Sequence, residues 1–165
     1  MTPYAIAARA PGDASVFHEI ALDLPSPGEG EVLIRHTAVG LNYLDTYFRT
    51  GLYPWPKPAD LILGSEAAGI VEAVGKGVTE FKAGDRVAYT VPNGAYTSHR
   101  VIGAQHLVAL PDGISDEIAA AVMLKGLTAR YLLKDSFKVA PGHKVLFHAA
   151  AGGVGLIAGQ WHDWL

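Results

Sequence analysis

The residues best placed to do chemistry lie near the end of the chain, in the run His148-Ala149-Ala150-Ala151-Gly152-Gly153-Val154-Gly155. A β-rich segment, Lys144 to His148, precedes it, and an apolar helical stretch, Leu156 to Leu165, follows. Strand, glycine turn and helix in that order bring backbone N–H groups at a helix start close to a pyrophosphate. Two alignments are open: Gly153-x-Gly155-x-x-Ala158, or Ala150-x-Gly152-x-x-Gly155 with its first glycine replaced by alanine. The residue that reads the cofactor ribose stands about 20 positions further on, past Leu165, so these residues do not choose NADPH over NADH. A second candidate region is Asn42 to Thr50, which has helical spacing, followed by a loop stiffened by Tyr53, Pro54, Trp55 and Pro56. Stiff aromatic loops beside a helix start line pockets in some proteins and simply pack in others.

Metal chemistry has little support. Cysteine is absent, which removes disulfides, thiolate nucleophiles and cysteine-based zinc sites together. None of the seven histidines pairs at a spacing that puts two ligands on one helix face. No metal site is expected.

The elements that must position these residues fall into two textures. Up to about residue 110, short strands alternate with Gly and Pro turns, as in a small β-barrel. Val32 to Val39 places Val32, Ile34 and Ala38 on one face and Arg35 and Thr37 on the other. Glu66 to Val74 forms a strand with a bulge or close backbone approach at Gly69, and Val87 to Tyr89, Ala95 to Ile102 and His106 to Leu110 follow. Beyond Pro111, Ser115-Asp116-Glu117 caps a helix, Lys125 to Lys134 continues as a second helical stretch, and Lys144 to His148 is a buried strand. The domains are thus 1–120, a β-barrel, and 121–165, the opening of a doubly wound nucleotide-binding domain. The 22 residues from Lys144 to Leu165 are fewer than the 30 or more of a βαβ unit, so this second domain is expected to be incomplete.

Composition excludes other classes. Half of the 165 residues are hydrophobic and 18% are charged, so a packed core is expected. A net charge of -3 gives no electrostatic case for nucleic acid or an acidic membrane. Apolar runs are short, and the first residues lack the order of a secretion signal, so a cytoplasmic protein with no membrane partner is expected.

The strings GLNYLDTYFRTGLYP (Gly40 to Pro54), GSEAAGIVEAVGKGV (Gly64 to Val78), KAGDRVAY (Lys82 to Tyr89), LKGLTA (Leu124 to Ala129) and FHAAAGGVGLIAGQW (Phe147 to Trp161) run in order along nearly the whole chain. In these the sequence resembles the N-terminal portion of the quinone oxidoreductases, the ζ-crystallin-like family of zinc-free medium-chain dehydrogenase/reductases. The resemblance implies a mixed fold: a GroES-like β-barrel catalytic domain, then the first strand-turn-helix of a truncated Rossmann domain. It implies NADPH in the cleft between them, a homodimer, and hydride transfer to a quinone. Zinc-dependent relatives place a Cys near the helix that starts at Asn42 and a His where this sequence has Ser65. By the resemblance, Asn42 lies near the nicotinamide and the substrate carbonyl, and Asp45 supports its helix. Tyr47 and Tyr53 line the pocket, Lys125 and Thr128 approach the nicotinamide end, and Gly152, Gly153, Val154 and Gly155 meet the pyrophosphate. Asn42 as a plain N-cap, Asp45 as a structural group, and Tyr47 and Tyr53 as packing are the alternatives. Glu66 is expected to hold a loop arginine or lysine, and His148 to be a packed strand end. An enone or enoyl-thioester reductase, and a non-enzymatic GroES-like module or inactive fragment, are competing readings; the 165-residue chain alone is expected to be inactive.

Overall fold

The computed structural model describes residues 2–55 and 60–163, the last two of these in backbone only. Pro56, expected to stiffen the loop after the first helix, and the final two residues of the expected C-terminal helix lie outside the described residues. The chain divides into two compact units, Met1–Ala121 and Val122–Leu165.

The first unit is built on eight strands: β1 (Tyr4–Ala8), β2 (Phe17–Ala21), β3 (Glu31–Gly40), β4 (Leu61–Ile62), β5 (Glu66–Val74), β6 (Arg86–Thr90), β7 (His99–Gly103) and β8 (Val108–Ala109). One sheet runs β2-β1-β4 and the other β7-β3-β5-β6-β8, with every pairing antiparallel. Among the described residues the sheets do not close into a barrel. They are stitched by residues 96–98 instead. Ile6 N–H donates to Tyr96 O and Ser98 N–H to Tyr4 O on one side, and His36 N–H donates to Ser98 O on the other. A strand expected from Ala95 therefore begins its ladder only at His99, because the residues before it divide their hydrogen bonds between two sheets.

The alternation read along β3 holds. Val32 and Ile34 are fully buried while Arg35, Thr37 and Val39 are exposed. With Ala67, Val71, Val87, Tyr89, Ala95, Ile102 and Leu107 they make the core, each buried Val or Ile contributing about 1.5–3 kcal/mol. The expected irregularity at Gly69 is shared. The extra residue sits on β3, where pairing passes from His36↔Gly69 to Ala38↔Ala68, and Gly69 supplies the close approach. A Cβ there would lie 2.3 Å from Arg35 O.

Helix α1 (Tyr43–Arg49) follows β3, and α2 (Asp116–Arg130) begins in the first unit and ends in the second. Ser115 caps α2 through its hydroxyl, which accepts from Ile118 N–H. Asp116 in its first turn accepts from Thr37 Oγ1 at 2.6 Å and pairs with Arg86, tying the helix start to β3 and β6. The two helical stretches expected here are one helix running into a π-helical turn, Tyr131–Ser136.

In the second unit Lys144 to His148 is not a strand. A strand exists only through a ladder, no other strand of this unit is present among the described residues, and Leu146 is 84% exposed. His148, expected as a packed strand end, is exposed for the same reason. The unit is held by Ala129, Leu133, Val139 and Ala158, with Phe147, Val154, Ile157 and Trp161 packed around them. The last helix, α3, spans Gly153–Asp163.

Candidate active site

Asn42 and Asp45 meet at the start of α1. Asn42 occupies the N-cap position with extended backbone (φ -129°, ψ 152°), as its residue type favours, yet its side chain makes no cap hydrogen bond. The cap is closed from the other side: Asp45 Oδ2 accepts from Asn42 N–H at 2.8 Å. The Asn42 side chain is turned to β5, where its Nδ2 donates to Glu66 Oε1 at 2.8 Å. Glu66 thus has a neutral amide as partner, where the sequence suggested a loop cation.

Asp45 collects further donors. Ser65 Oγ donates to Oδ1 at 3.0 Å and the Tyr96 hydroxyl to Oδ2 at 2.8 Å. Asn42, Asp45, Ser65 and Glu66 are all buried. A buried carboxylate costs several kcal/mol unless its lone pairs are met, and Asp45 meets them with three donors from three parts of the chain. Burial raises the Tyr96 phenol above its ordinary range, and the adjacent Asp45 carboxylate raises it further, so Tyr96 is a fixed donor. Asp45 therefore braces the head of α1. Tyr96 was invisible in the sequence: it reaches Asp45 across 51 residues, and no local pattern announces such a contact.

Tyr47 and Tyr53 belong to a separate aromatic group. Their rings lie 5.5 Å apart, Tyr43 stands edge-on to Tyr47 at 5.7 Å, and Phe48 edge-on to Tyr53 at 5.5 Å. The turn is pinned by Tyr53 N–H donating to Tyr47 O and Trp55 Nε1 donating to Phe48 O at 2.6 Å. Pocket lining and packing coexist here, since Tyr53 stays 42% exposed while its ring is held on two sides.

A third polar group sits deeper in the core. His36 Nδ1 lies 2.6 Å from Thr97 O, so it carries the proton, and Nε2 accepts from the Tyr89 hydroxyl at 3.1 Å. Arg100 donates to that hydroxyl at 3.0 Å and lies over the Tyr89 ring. Burial pushes the His36 imidazole down to about 4, with the nearby Arg100 and His99 adding to the shift against the opposing Thr97 bond.

In the second unit the glycine turn distinguishes its two alignments. A Cβ on Gly155 would lie 2.4 Å from Ala150 O, which is backbone against backbone. Gly155 thus holds the helix-packing place of the fingerprint, as in Ala150-x-Gly152-x-x-Gly155. Ala149 turns the chain with φ 56°. The first helical bond runs from Leu156 N–H to Gly152 O, so the N–H groups of Gly153, Val154 and Gly155 have no intrahelical acceptor. The stem of Lys125 covers Gly153, where a Cβ would meet its Cδ at 2.7 Å, while Thr128 Oγ1 is turned back to donate to Leu124 O.

Among the described residues no three His, Cys, Asp or Glu side chains gather into a metal cage, and no helix is long and apolar enough to cross a membrane.

Residues 28–143 match the alcohol dehydrogenase GroES-like domain. The chain is 60% identical over 137 residues to a quinone oxidoreductase of Pseudomonas aeruginosa, covering 82% of this chain and 42% of that protein. It is 45% identical over 155 residues to a 2-haloacrylate reductase of a Burkholderia species, covering 90% and 46% respectively. The crystal structure of Escherichia coli quinone oxidoreductase complexed with NADPH superposes with a TM-score of 0.92 at 47% identity, covering 98% of this chain and 50% of that one. The chain spans about half the length of the curated relatives it matches. It belongs to the quinone oxidoreductases within the alcohol dehydrogenase GroES-like domain family.

Proposed function

We propose that the protein is the substrate-side part of an oxidoreductase that passes hydride from NADPH to a quinone without a protein-bound metal. The observation that carries this reading is the setting of Asn42. A neutral amide stands at the head of α1, its backbone tied to Asp45 and its side chain to Glu66, in a chain that has no cysteine. The solved relative bound to NADPH supports the choice of cofactor. Residues 1–120 act as the catalytic domain and 121–165 as the start of the nucleotide-binding domain, whose remaining strands complete the cofactor site and a homodimer.

The glycine turn fits a dinucleotide. A side chain at Gly155 has no room, the turn is tight at Ala149, and three amide N–H groups at the start of α3 are directed by the helix dipole toward negative charge. Gly152, Gly153, Val154 and Gly155 hold the pyrophosphate, with Lys125 and Thr128 toward the nicotinamide end. When bound, the nicotinamide supplies the hydride. Asn42 orients the reacting carbonyl, Asp45 keeps Asn42 in place, and Tyr47 and Tyr53 cover a planar substrate with aromatic surface and exclude water. The second proton of a quinone reduction comes from solvent, so no strong general acid is required.

Expression of the complete reading frame tests this. Quinone-dependent oxidation of NADPH that survives chelation of free metal is expected, with 1,4-benzoquinone as acceptor. Its absence rejects the assignment. Asn42→Ala lowers kcat more than it weakens NADPH binding; the reverse result removes Asn42 from the substrate side. The 165-residue chain alone oxidises no NADPH, and saturable NADPH quenching of its tryptophan fluorescence contradicts that expectation. Similarity to a 2-haloacrylate reductase favours a second substrate class, activated alkenes. A higher kcat/KM for 2-chloroacrylate than for the quinone assigns the protein to that class.

A further inference from the structure

The contact between Asn42 and Glu66 ties the proposed active-site amide to a carboxylate that no role above employs. Glu66 is fully buried and its backbone is paired on both sides, to Gly40 of β3 and Thr90 of β6, so it has little freedom to move. Its Oε1 accepts from Asn42 Nδ2 at 2.8 Å. A side-chain amide has a donor edge and an acceptor edge of nearly the same shape, and only its partners decide which way round it sits. A carboxylate accepts and does not donate, so Glu66 admits the nitrogen of Asn42 and refuses its oxygen. Donation to a charged acceptor also polarises the amide and strengthens its carbonyl as an acceptor.

We propose that Glu66 is the positioning residue that fixes which edge Asn42 turns to the reacting groups. This rests on the reading of Asn42 given above. Glu66 touches neither substrate nor cofactor; it acts through one hydrogen bond. The opposite orientation of the amide would present a donor where an acceptor stands, at the same volume.

Glu66→Gln isolates this property, because it keeps the size of the side chain and loses the preference: glutamine binds either edge of Asn42. In the protein from its complete reading frame, kcat for NADPH and 1,4-benzoquinone is expected to fall about tenfold with Glu66→Gln, with NADPH affinity changed less than about twofold. Asn42→Ala is expected to fall at least as far, and the double variant no further than Asn42→Ala alone, since residues acting as a unit are not additive. Losses that multiply in the double variant overturn the positioning role while leaving Asn42 in the chemistry. If Asn42→Ala leaves kcat unchanged, the underlying reading of Asn42 fails, and this proposal with it. A readout independent of turnover is the side-chain amide of Asn42 in 15N-labelled protein. One Nδ2 proton is expected to exchange slowly in the parent and both rapidly in Glu66→Gln. Rapid exchange of both in the parent also overturns the proposal. Should Glu66→Gln fail to fold, Glu66→Asp, which keeps the acceptor and shortens the reach, is expected to show the same non-additivity with Asn42→Ala.

Discussion

The two units of this chain satisfy their interiors in different ways. In the first, polar groups that leave water find partners inside the unit: Asp45 has three donors, His36 has Thr97 and Tyr89, and Asp116 has Thr37 and Arg86. In the second, Ala129, Leu133, Val139 and Ala158 make a small core, while Leu146, Leu156 and Phe137 remain exposed and Lys144 to His148 extends without a ladder. The contrast shows that a glycine turn takes its local shape from backbone sterics alone, whereas a buried polar site needs strands from distant parts of the chain. Fitness to hold a phosphate and completeness of a catalytic pocket are therefore separable properties.

Substitutions can break or sharpen that contrast. The largest effect is expected at Gly155→Val, where the new side chain meets the Ala150 backbone. NADPH affinity of the protein from its complete reading frame should fall about 100-fold, near 3 kcal/mol, while urea unfolding of the first unit is unchanged. A matched fall in the stability of the first unit would show that the two are not separable. Asp45→Ala should act in the opposite place. Three donors lose a buried acceptor, and the urea midpoint should report a loss of about 3 kcal/mol in the first unit, with little change in the glycine turn.

Acid supplies a third test. His36 is neutral when folded and its pKa is depressed to about 4 from 6.5, so the unfolded chain binds the extra proton between those values. Stability from this group is present above about pH 6.5 and is lost as pH falls toward 4, by on the order of 2–3 kcal/mol. His36→Gln should flatten that slope in a series of urea melts. Asp116 titrates lower, its carboxyl held below the usual range chiefly by the Thr37 hydroxyl and then by Arg86, and so contributes outside this window. The smallest effect belongs to Leu146→Ala, expected within about 0.5 kcal/mol because the side chain packs against little in this chain. A loss of several kcal/mol there would mean that the second unit is better covered in solution than its exposed side chains show.

What the sequence made legible follows the reach of the interactions. The strand Glu66–Val74 and the helix after Asn42 were readable because alternation, caps and glycine boundaries are local signals. The glycine turn was readable as a motif, but its alignment was decided only by the Ala150 backbone behind Gly155. Residues 144–148 have the composition of a buried strand and lack a neighbour, so propensity without pairing gave the wrong element. In the candidate site, Asn42 and Asp45 could be singled out; the turn of the Asn42 amide toward Glu66 and the arrival of Tyr96 could not, since both depend on which strands lie side by side.

The stitch at residues 96–98 has a kinetic meaning as well. It joins partners 94 residues apart at Tyr4 and Ser98, and 51 apart at Tyr96 and Asp45. Contacts of that separation repay their loop-closure entropy only when most of the chain between them is ordered, which places such topologies among the slower folders. Until the stitch closes, Asp45 lacks the Tyr96 donor and keeps water in its place. Expulsion of that water then coincides with the joining of the two sheets, and quenching or solvent exchange at Tyr96 would time the maturation of the pocket against the formation of the core.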